Sequence, residues 1–439
     1  MEITQKKIGT DKVEAVNYDS RSERIDEKTG TAQDRADMSR MGKVQELRPT
    51  DNFRAPTTGG QYHWISEFSP KKHQKFLSYI MGWLCVLGWQ GGCASSSFLA
   101  GTLIQGLIAL NHPDTYVPEG WHGTLLTIGV AAFAVFFNTF LARHLPTIES
   151  GLLVIHLGAF VGILATLWAL SPEIADVTIF TQFYDGGGWN SFGISTLAGI
   201  TSGIIPMLGA DAAAHMSEEL QLAGSNLDDV LASPTGYPYM VLFYNSTKSA
   251  ASATIMSVFI LLMLISSNLS IVATASRQLF AFARDEGLPF STWFARVSRN
   301  ALPMNAIIVT FITSALLSLI NIGSATALNS ITSLSTNALL SSYICSIGCM
   351  IWRRWTGAPL LPSHFSLGCW GLALNISSVA FLIFAFIFSF FPMSPTPDAT
   401  VMNWNILIYG VVVVFSITYY FLQGRFFYVG PVQYVRKLD

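Results

Sequence analysis

The chain has 439 residues, of which 51% are hydrophobic and only 12% carry a charge, with a mean hydropathy of +0.44. A water-soluble domain carries about 25% charged residues because its surface faces water. Halving that fraction over so long a chain excludes an ordinary soluble fold, and a net charge of −2 gives no basis for nucleic-acid binding.

Residues 1–58 come first in chain order. They are polar, mixed in charge, rich in Lys and Arg, and contain neither an apolar run nor a secretory signal pattern. This stretch reads as a disordered cytosolic tail, followed by a transmembrane domain over 59–424 and a cytosolic tail over 425–439. Spanning a bilayer takes about 20 apolar helical residues. By that measure the sequence predicts about nine spans, near 76–110, 121–142, 149–171, 191–215, 250–276, 303–322, 325–352, 368–392 and 403–423. The expected fold class is therefore all-α, a polytopic membrane protein. About 34 residues in the first span would reach about 50 Å at 1.5 Å each, so that helix must tilt or protrude.

Charge orients the spans. Lys71, Lys72 and Lys75, then Arg143, then Arg277, Arg284, Arg296 and Arg299, then Arg353 and Arg354, and finally Arg425, Arg436 and Lys437 fall in alternate connections. The loops at 111–120, 172–190, 322–330 and 392–402 hold no Lys or Arg. The positive-inside rule places the first set, and both chain ends, in the cytosol. One connection breaks the alternation. Spans 191–215 and 250–276 must both run inward to keep their basic flanks in the cytosol. Yet residues 216–249 carry Glu218, Glu219, Asp228, Asp229, Pro234 and Pro238 and offer no 20-residue apolar stretch. Lipid would strand the polar groups of such a segment. The pattern predicts that a helix is missing here, and that 220–239 forms no regular membrane-spanning helix.

Span 191–215 is itself irregular. Gly199, Gly203, Pro206 and Gly209 crowd a stretch that should be a continuous helix. Proline removes a backbone donor and glycine permits unwinding. Interrupted helices in transporters expose backbone carbonyls and half-helix ends at the membrane midplane, where substrate binds. The same residues also fit a kinked helix with glycines for close packing. Asp211 and His215 lie one turn apart just past the break; Asp211 fits a gate, a proton-linked role or a solvated helix end, whereas His215 reads as a solvated end at the cytosolic edge. His156, deep in another span, fits a hydrogen-bonded core histidine or a proton relay. No second broken helix matches this one elsewhere in the chain. Cys85, Cys93, Cys345, Cys349 and Cys369 show no repeated paired spacing, and Cys345 with Cys349 lacks a His or carboxylate to complete a metal site. No catalytic nucleophile–base pair, phosphate loop, cofactor or metal is expected, so an enzyme is not.

Four segments carry a resemblance. "TTGGQYHWISEFSP" (57–70), "GADAAAHMSEEL" (209–220), "LASPTGYPYM" (231–240) and "ATASRQLFAFARDEGLPFSTWFARV" (273–297) together resemble the fungal amino acid/choline permeases of the amino acid–polyamine–organocation superfamily. The resemblance implies twelve helices, the first ten in two inverted five-helix repeats. It also implies secondary transport of amino acids, 4-aminobutyrate, choline or related amines, with a co-transported proton and the lipid bilayer as further partners. In that scheme "GGQYHW" ends the second helix, "MSEEL" closes the sixth and "LASPTGYPYM" follows the seventh. The first helix, most of the second and the seventh are then absent, leaving a remnant of the five-plus-five fold. The implied substrate contacts that survive are Gly203, Ile205, Gly209 and Asp211 of the sixth helix, Gln90 and Gly91 of the third, and Ser267 and Asn268 of the eighth. Close packing for the glycines and interhelical hydrogen bonding for Gln90 and Asn268 are the structural alternatives. Transport is expected to be impaired in such a remnant, and a non-transporting regulatory or receptor-like protein is the alternative. The plasma membrane is the expected location, with the vacuole or endoplasmic reticulum as alternatives.

Overall fold

In the computed structural model, residues 60–141, 144–170, 188–205, 237–298, 302–323, 327–357, 368, 370–392, 394–397, 402–428 and 430 are described. Among these residues no strand occurs. A short helix α1 (Gln61–Phe68) precedes α2 (Gln74–Asn111), which at 38 residues is the longest element. Then follow α3 (Gly120–Phe136), closed by a π-turn at Phe137–Leu141, α4 (Leu145–Leu170), and α5, described over Phe192–Ile205. After them come α6 (Pro238–Thr247), α7 (Ala250–Arg284), α8 (Met304–Ser318), α9 (Ala327–Trp355) and α10 (Trp370–Phe388). The last is α11 (Asn405–Tyr419), continued by a π-turn at Tyr420–Gly424 and a final turn at Arg425–Phe427.

Eight of these helices, α2 to α4 and α7 to α11, are long and apolar enough to cross a membrane. The ninth expected span contributes α5, and its second half (206–215) lies outside the described residues, as does most of the 220–239 stretch. Local signals set the boundaries that matter here. Ser249 caps α7, its Oγ accepting from the Ser252 amide at 3.3 Å, and Arg284 stands in the last turn, where the helix dipole favours a cation. Helix α6 starts on Pro238, whose fixed φ suits a first turn, and stops at Lys248 in the left-handed conformation (φ 53°). At 10 residues, α6 reaches about 15 Å and cannot span.

Contacts between helix ends divide the bundle into two poles. At one pole Lys75 Nζ donates to the Arg425 carbonyl at 2.6 Å, Tyr62 Oη donates to Asp285 at 2.9 Å, and the Arg353 guanidinium lies 6.0 Å from the Phe68 ring. The start of α2 and the ends of α7, α9 and α11 therefore share this pole. At the other, Asn111 bonds Thr254 at 2.8 Å, Asn321 bonds the Gly120 carbonyl at 2.7 Å, and the Trp189 and Phe391 rings lie 6.0 Å apart. This gathers the end of α2 with the starts of α3 and α7, and the start of α5 with the end of α10. Among the described residues Lys248 is the one Lys or Arg at that second pole, so the first is the basic pole. Tryptophans mark both levels: Trp121, Trp168 and Trp404 at the far pole, Trp64, Trp293, Trp352, Trp355 and Trp370 at the basic one, all exposed or half-buried.

One consequence is topological. Helices α5 and α7 both start at the far pole and run toward the basic one, although they are consecutive long helices. Helix α6 packs at the far pole too, where Met240, Leu242 and Phe243 join Leu103, Val130, Met256 and Ile260 in one apolar cluster. The alternation predicted from charge is met everywhere except between residues 205 and 237.

Helix α2 forms the centre, packed on α1, α3, α7, α8, α9 and α11. Small residues let it do so. A Cβ on Gly101 would stand 2.5 Å from the Thr127 amide nitrogen, so the α2 and α3 backbones meet there as close-packed membrane helices do. Helix α4 lies at the periphery, and Leu153, Val154 and Val161 face outward. A helix apolar on every side suits lipid.

Candidate functional site

Two polar bridges tie α2 to its neighbours inside the bundle, one to α8 and the antiparallel α7 and the other to the middle of α7. Gln90 Nε2 donates to Thr310 Oγ1 of α8 at 2.9 Å and reaches the Ala275 carbonyl of α7 at 3.5 Å. Two turns farther along α2, Ser97 Oγ donates to Asn268 Oδ1 at 3.1 Å. Asn268 lies about 27 Å from the start of α7 and about 24 Å from its end at 1.5 Å per residue, which places the pair at midplane depth. Gln90 is 6% exposed and Asn268 fully buried, and Gln90 Oε1 and Asn268 Nδ2 have no partner within the protein. A carboxamide atom left unpaired in an apolar interior costs several kcal/mol, so these two atoms, like those of Asn337 and Asn405 elsewhere, are places where a polar molecule would be favoured.

The surroundings are uncharged. Thr310, Ser314 and Ser97 are fully buried along the seam, and Asn138, in the π-turn of α3, donates to the Leu269 carbonyl at 2.9 Å. Such π-turns gather at functional positions. Asp285 is the one charged side chain counted as buried among the described residues, and it stands at the basic pole.

Of the residues singled out from sequence, the structure brings Gln90 and Asn268 to this seam. Gly91 turns toward α9 instead, where a Cβ would stand 3.3 Å from Ser335 Cβ, a close helix approach. Ser267 is half-buried beside Asn268. Gly203 and Ile205 end the described part of α5, which packs on α9 and α10, and their side chains lie outside the described residues. Gly209 and Asp211 lie wholly outside them. Sequence reading missed Ser97, Thr310 and Asn138. Hydroxyl and amide side chains recur throughout these spans, so no local signal set the three apart.

A second polar cluster closes the basic pole. The Asp285 carboxyl accepts from Tyr62 of α1, and Tyr428 donates to or accepts from Ser78 of α2 at 2.8 Å. Burial first, and the Asp285 carboxyl next, push the Tyr62 and Tyr428 phenols well above their usual range. Both therefore stay protonated and able to donate.

Comparisons with known proteins identify the family. The amino acid permease family profile matches residues 54–227 and 220–415. A Macrophomina phaseolina protein named as an amino acid/polyamine transporter is 29% identical over 80% of this chain and 84% of its own length. Amino-acid permease 2 of Neurospora crassa is 26% identical over 86% of the chain and 75% of its own length. A choline transporter of Saccharomyces cerevisiae is 26% identical over 84% and 70%. With membrane helices, a midplane polar seam and a family match over most of its length, the chain belongs to the amino acid permease family of membrane transporters.

Proposed function

We propose that this chain is a secondary transporter for small amino acids or amines, 4-aminobutyrate and choline among them, and that its turnover is impaired as the chain stands. The observation carrying the first part is the pair of buried, unpartnered carboxamide atoms, Gln90 Oε1 and Asn268 Nδ2, between α2 and α7. Neutral donors and acceptors suit a zwitterion or a small polar amine better than a strongly charged solute. Gly203, Ile205, Gly209, Asp211, Ser267 and Gly91 are further proposed contacts, and a proton is the proposed coupling ion. The basic pole is assigned to the cytosol and the protein to the plasma membrane.

The second part rests on the parallel course of α5 and α7. A helix between them would restore alternation. The Macrophomina match runs over 384 positions while taking in 80% of 439 residues, about 351. The difference, about 33 positions, would hold one span of about 20 residues with its connections. Alternating access needs two repeats that move around a shared site, and a chain short of one span in that region has an incomplete moving pair.

Uptake in permease-deficient cells tests both parts, with choline, 4-aminobutyrate and a panel of amino acids, and with surface expression matched. The 439-residue chain should show no saturable uptake. A version with the first, second and seventh helices restored should show it and lose it with Gln90→Leu. Saturable uptake by the unmodified chain, abolished by Gln90→Leu, would overturn the impairment; no uptake by either version would overturn the assignment of substrates.

A further inference from the structure

We propose that residues 424–428 form a strap that holds the basic pole of the α2–α7 pair shut, with Tyr428 as its pin. The strap is the last turn of the α11 helix with the residue after it, and it meets three elements distant in sequence. Lys75 of α2 donates to the Arg425 carbonyl, and Gly424 lies flat on the Tyr79 ring, where a Cβ would stand 2.8 Å from the ring carbon Cζ. Tyr428, fully buried, bonds Ser78 through its hydroxyl. Its ring centroid lies 5.1 Å from that of Tyr79 and 5.9 Å from that of Phe282 on α7. Gly430 turns with φ +81° beside Ser66 of α1, a conformation that an L side chain would strain.

The chemistry is that of a wedge rather than of a surface tail. One phenol ring packs edge-on against both Tyr79 of α2 and Phe282 of α7, whose own ring centroids lie 5.8 Å apart, and such aromatic pairs contribute beyond the area they bury. The Tyr62–Asp285 bond stands beside it and ties α1 to the end of α7. Opening this pole requires α2 and α7 to part, and they cannot part while Tyr428 bridges them. Beneath the wedge lies Cys85 of α2, fully buried, its Sγ 3.9 Å from Gln61 Oε1 of α1. That thiol is a built-in reporter of whether the pole is open.

The inference rests on the transport reading only in supposing that this pole opens, and its test needs no transport. Full-length protein in membranes is treated with a membrane-impermeant maleimide, and alkylation of each cysteine is resolved by peptide mass spectrometry. Tyr428→Ala should raise the labelling rate of Cys85 by about tenfold, because local opening sets access to a buried group. Cys93, farther along α2 and bonded to Ser314 of α8 at 3.3 Å, should stay unchanged. Tyr428→Phe keeps the ring and should shift Cys85 by less than about threefold. Gly424→Leu, which drives the strap off the Tyr79 ring without touching Tyr428, should reproduce the alanine result. Unchanged Cys85 labelling in both Tyr428→Ala and Gly424→Leu would overturn the proposal. So would Cys93 rising in step with Cys85, which marks general loosening.

Discussion

Single residues carry the closest tolerances in this protein. At Gly101 there is no room for even a methyl group against the Thr127 backbone, whereas nothing lies within 4 Å of a Cβ at Gly129, on another face of α3. Gly101→Ala should therefore lower stability by roughly 1–3 kcal/mol, and Gly129→Ala should leave it unchanged or slightly raise it. Denaturation in a fixed detergent measures both, and equal effects would contradict the packing described. The Ser97–Asn268 bond permits a sharper measurement. A double-mutant cycle with alanine at each position should give a coupling of about 0.6 kcal/mol and not above about 1.7, the range for hydrogen bonds between membrane helices. The family resemblance pointed to Gln90 and Asn268, with interhelical hydrogen bonding as their structural alternative. It did not point to Ser97 or Thr310. Hydroxyls are common in spans, where they bond their own helix, as Thr310 does with the Ala306 carbonyl at 2.9 Å, so nothing local marks the ones that also face a neighbour.

Among elements, hydropathy was the strong signal and range its limit. The long apolar runs of α2, α7 and α9 were legible because about 20 consecutive apolar residues suit a bilayer span and little else. Helix α6 was not, since its apolar residues are too few to fill a spanning window, and only packing against α2 and α7 reveals that Phe243 is core. In sequence Asp285 sits in a polar connection; what buries it is Tyr62 and the segment around Tyr428, far away along the chain. The parallel course of α5 and α7 was legible, because basic residues record which end of each helix lies in the cytosol. It predicts that short epitope tags placed at 112–119 and at 248–249 report the same face of the membrane, and tags at 71–73 and 286–290 the opposite one. Tags at 112–119 and 248–249 reporting opposite faces would refute the two-pole arrangement.

At the scale of the whole molecule, two outcomes separate a kept arrangement from an inverted one. Tags at residue 1 and residue 439 should both be cytosolic if the segment between α5 and α6 returns to the far pole. An external C-terminus, with a cytosolic N-terminus, would show that everything after residue 237 had flipped. The returning segment carries Asp228 and Asp229 and would leave polar groups in lipid. The unmodified chain should therefore reach the surface at a lower level than a version with a helix inserted at 220–236, measured by surface biotinylation. Equal surface levels would show that the membrane tolerates the segment.

The length of α2 gives that arrangement a mechanical character. Thirty-eight residues extend about 57 Å, close to twice the thickness of the hydrocarbon layer, so both ends stand clear of the lipid while the middle is pinned to α7 through Ser97 and Asn268. A rod held at one level is a lever. With arms of about 34 and 21 Å on the two sides of Ser97, a rocking of about five degrees sweeps the tips through about 3 and 2 Å. That displacement is small at the fulcrum, where the carboxamides sit, and large at the tip, where a 2.8 Å hydrogen bond between Ser78 and Tyr428 would be carried beyond bonding distance. The fold thus converts a slight pivot at the polar seam into the making or breaking of one contact at the rim.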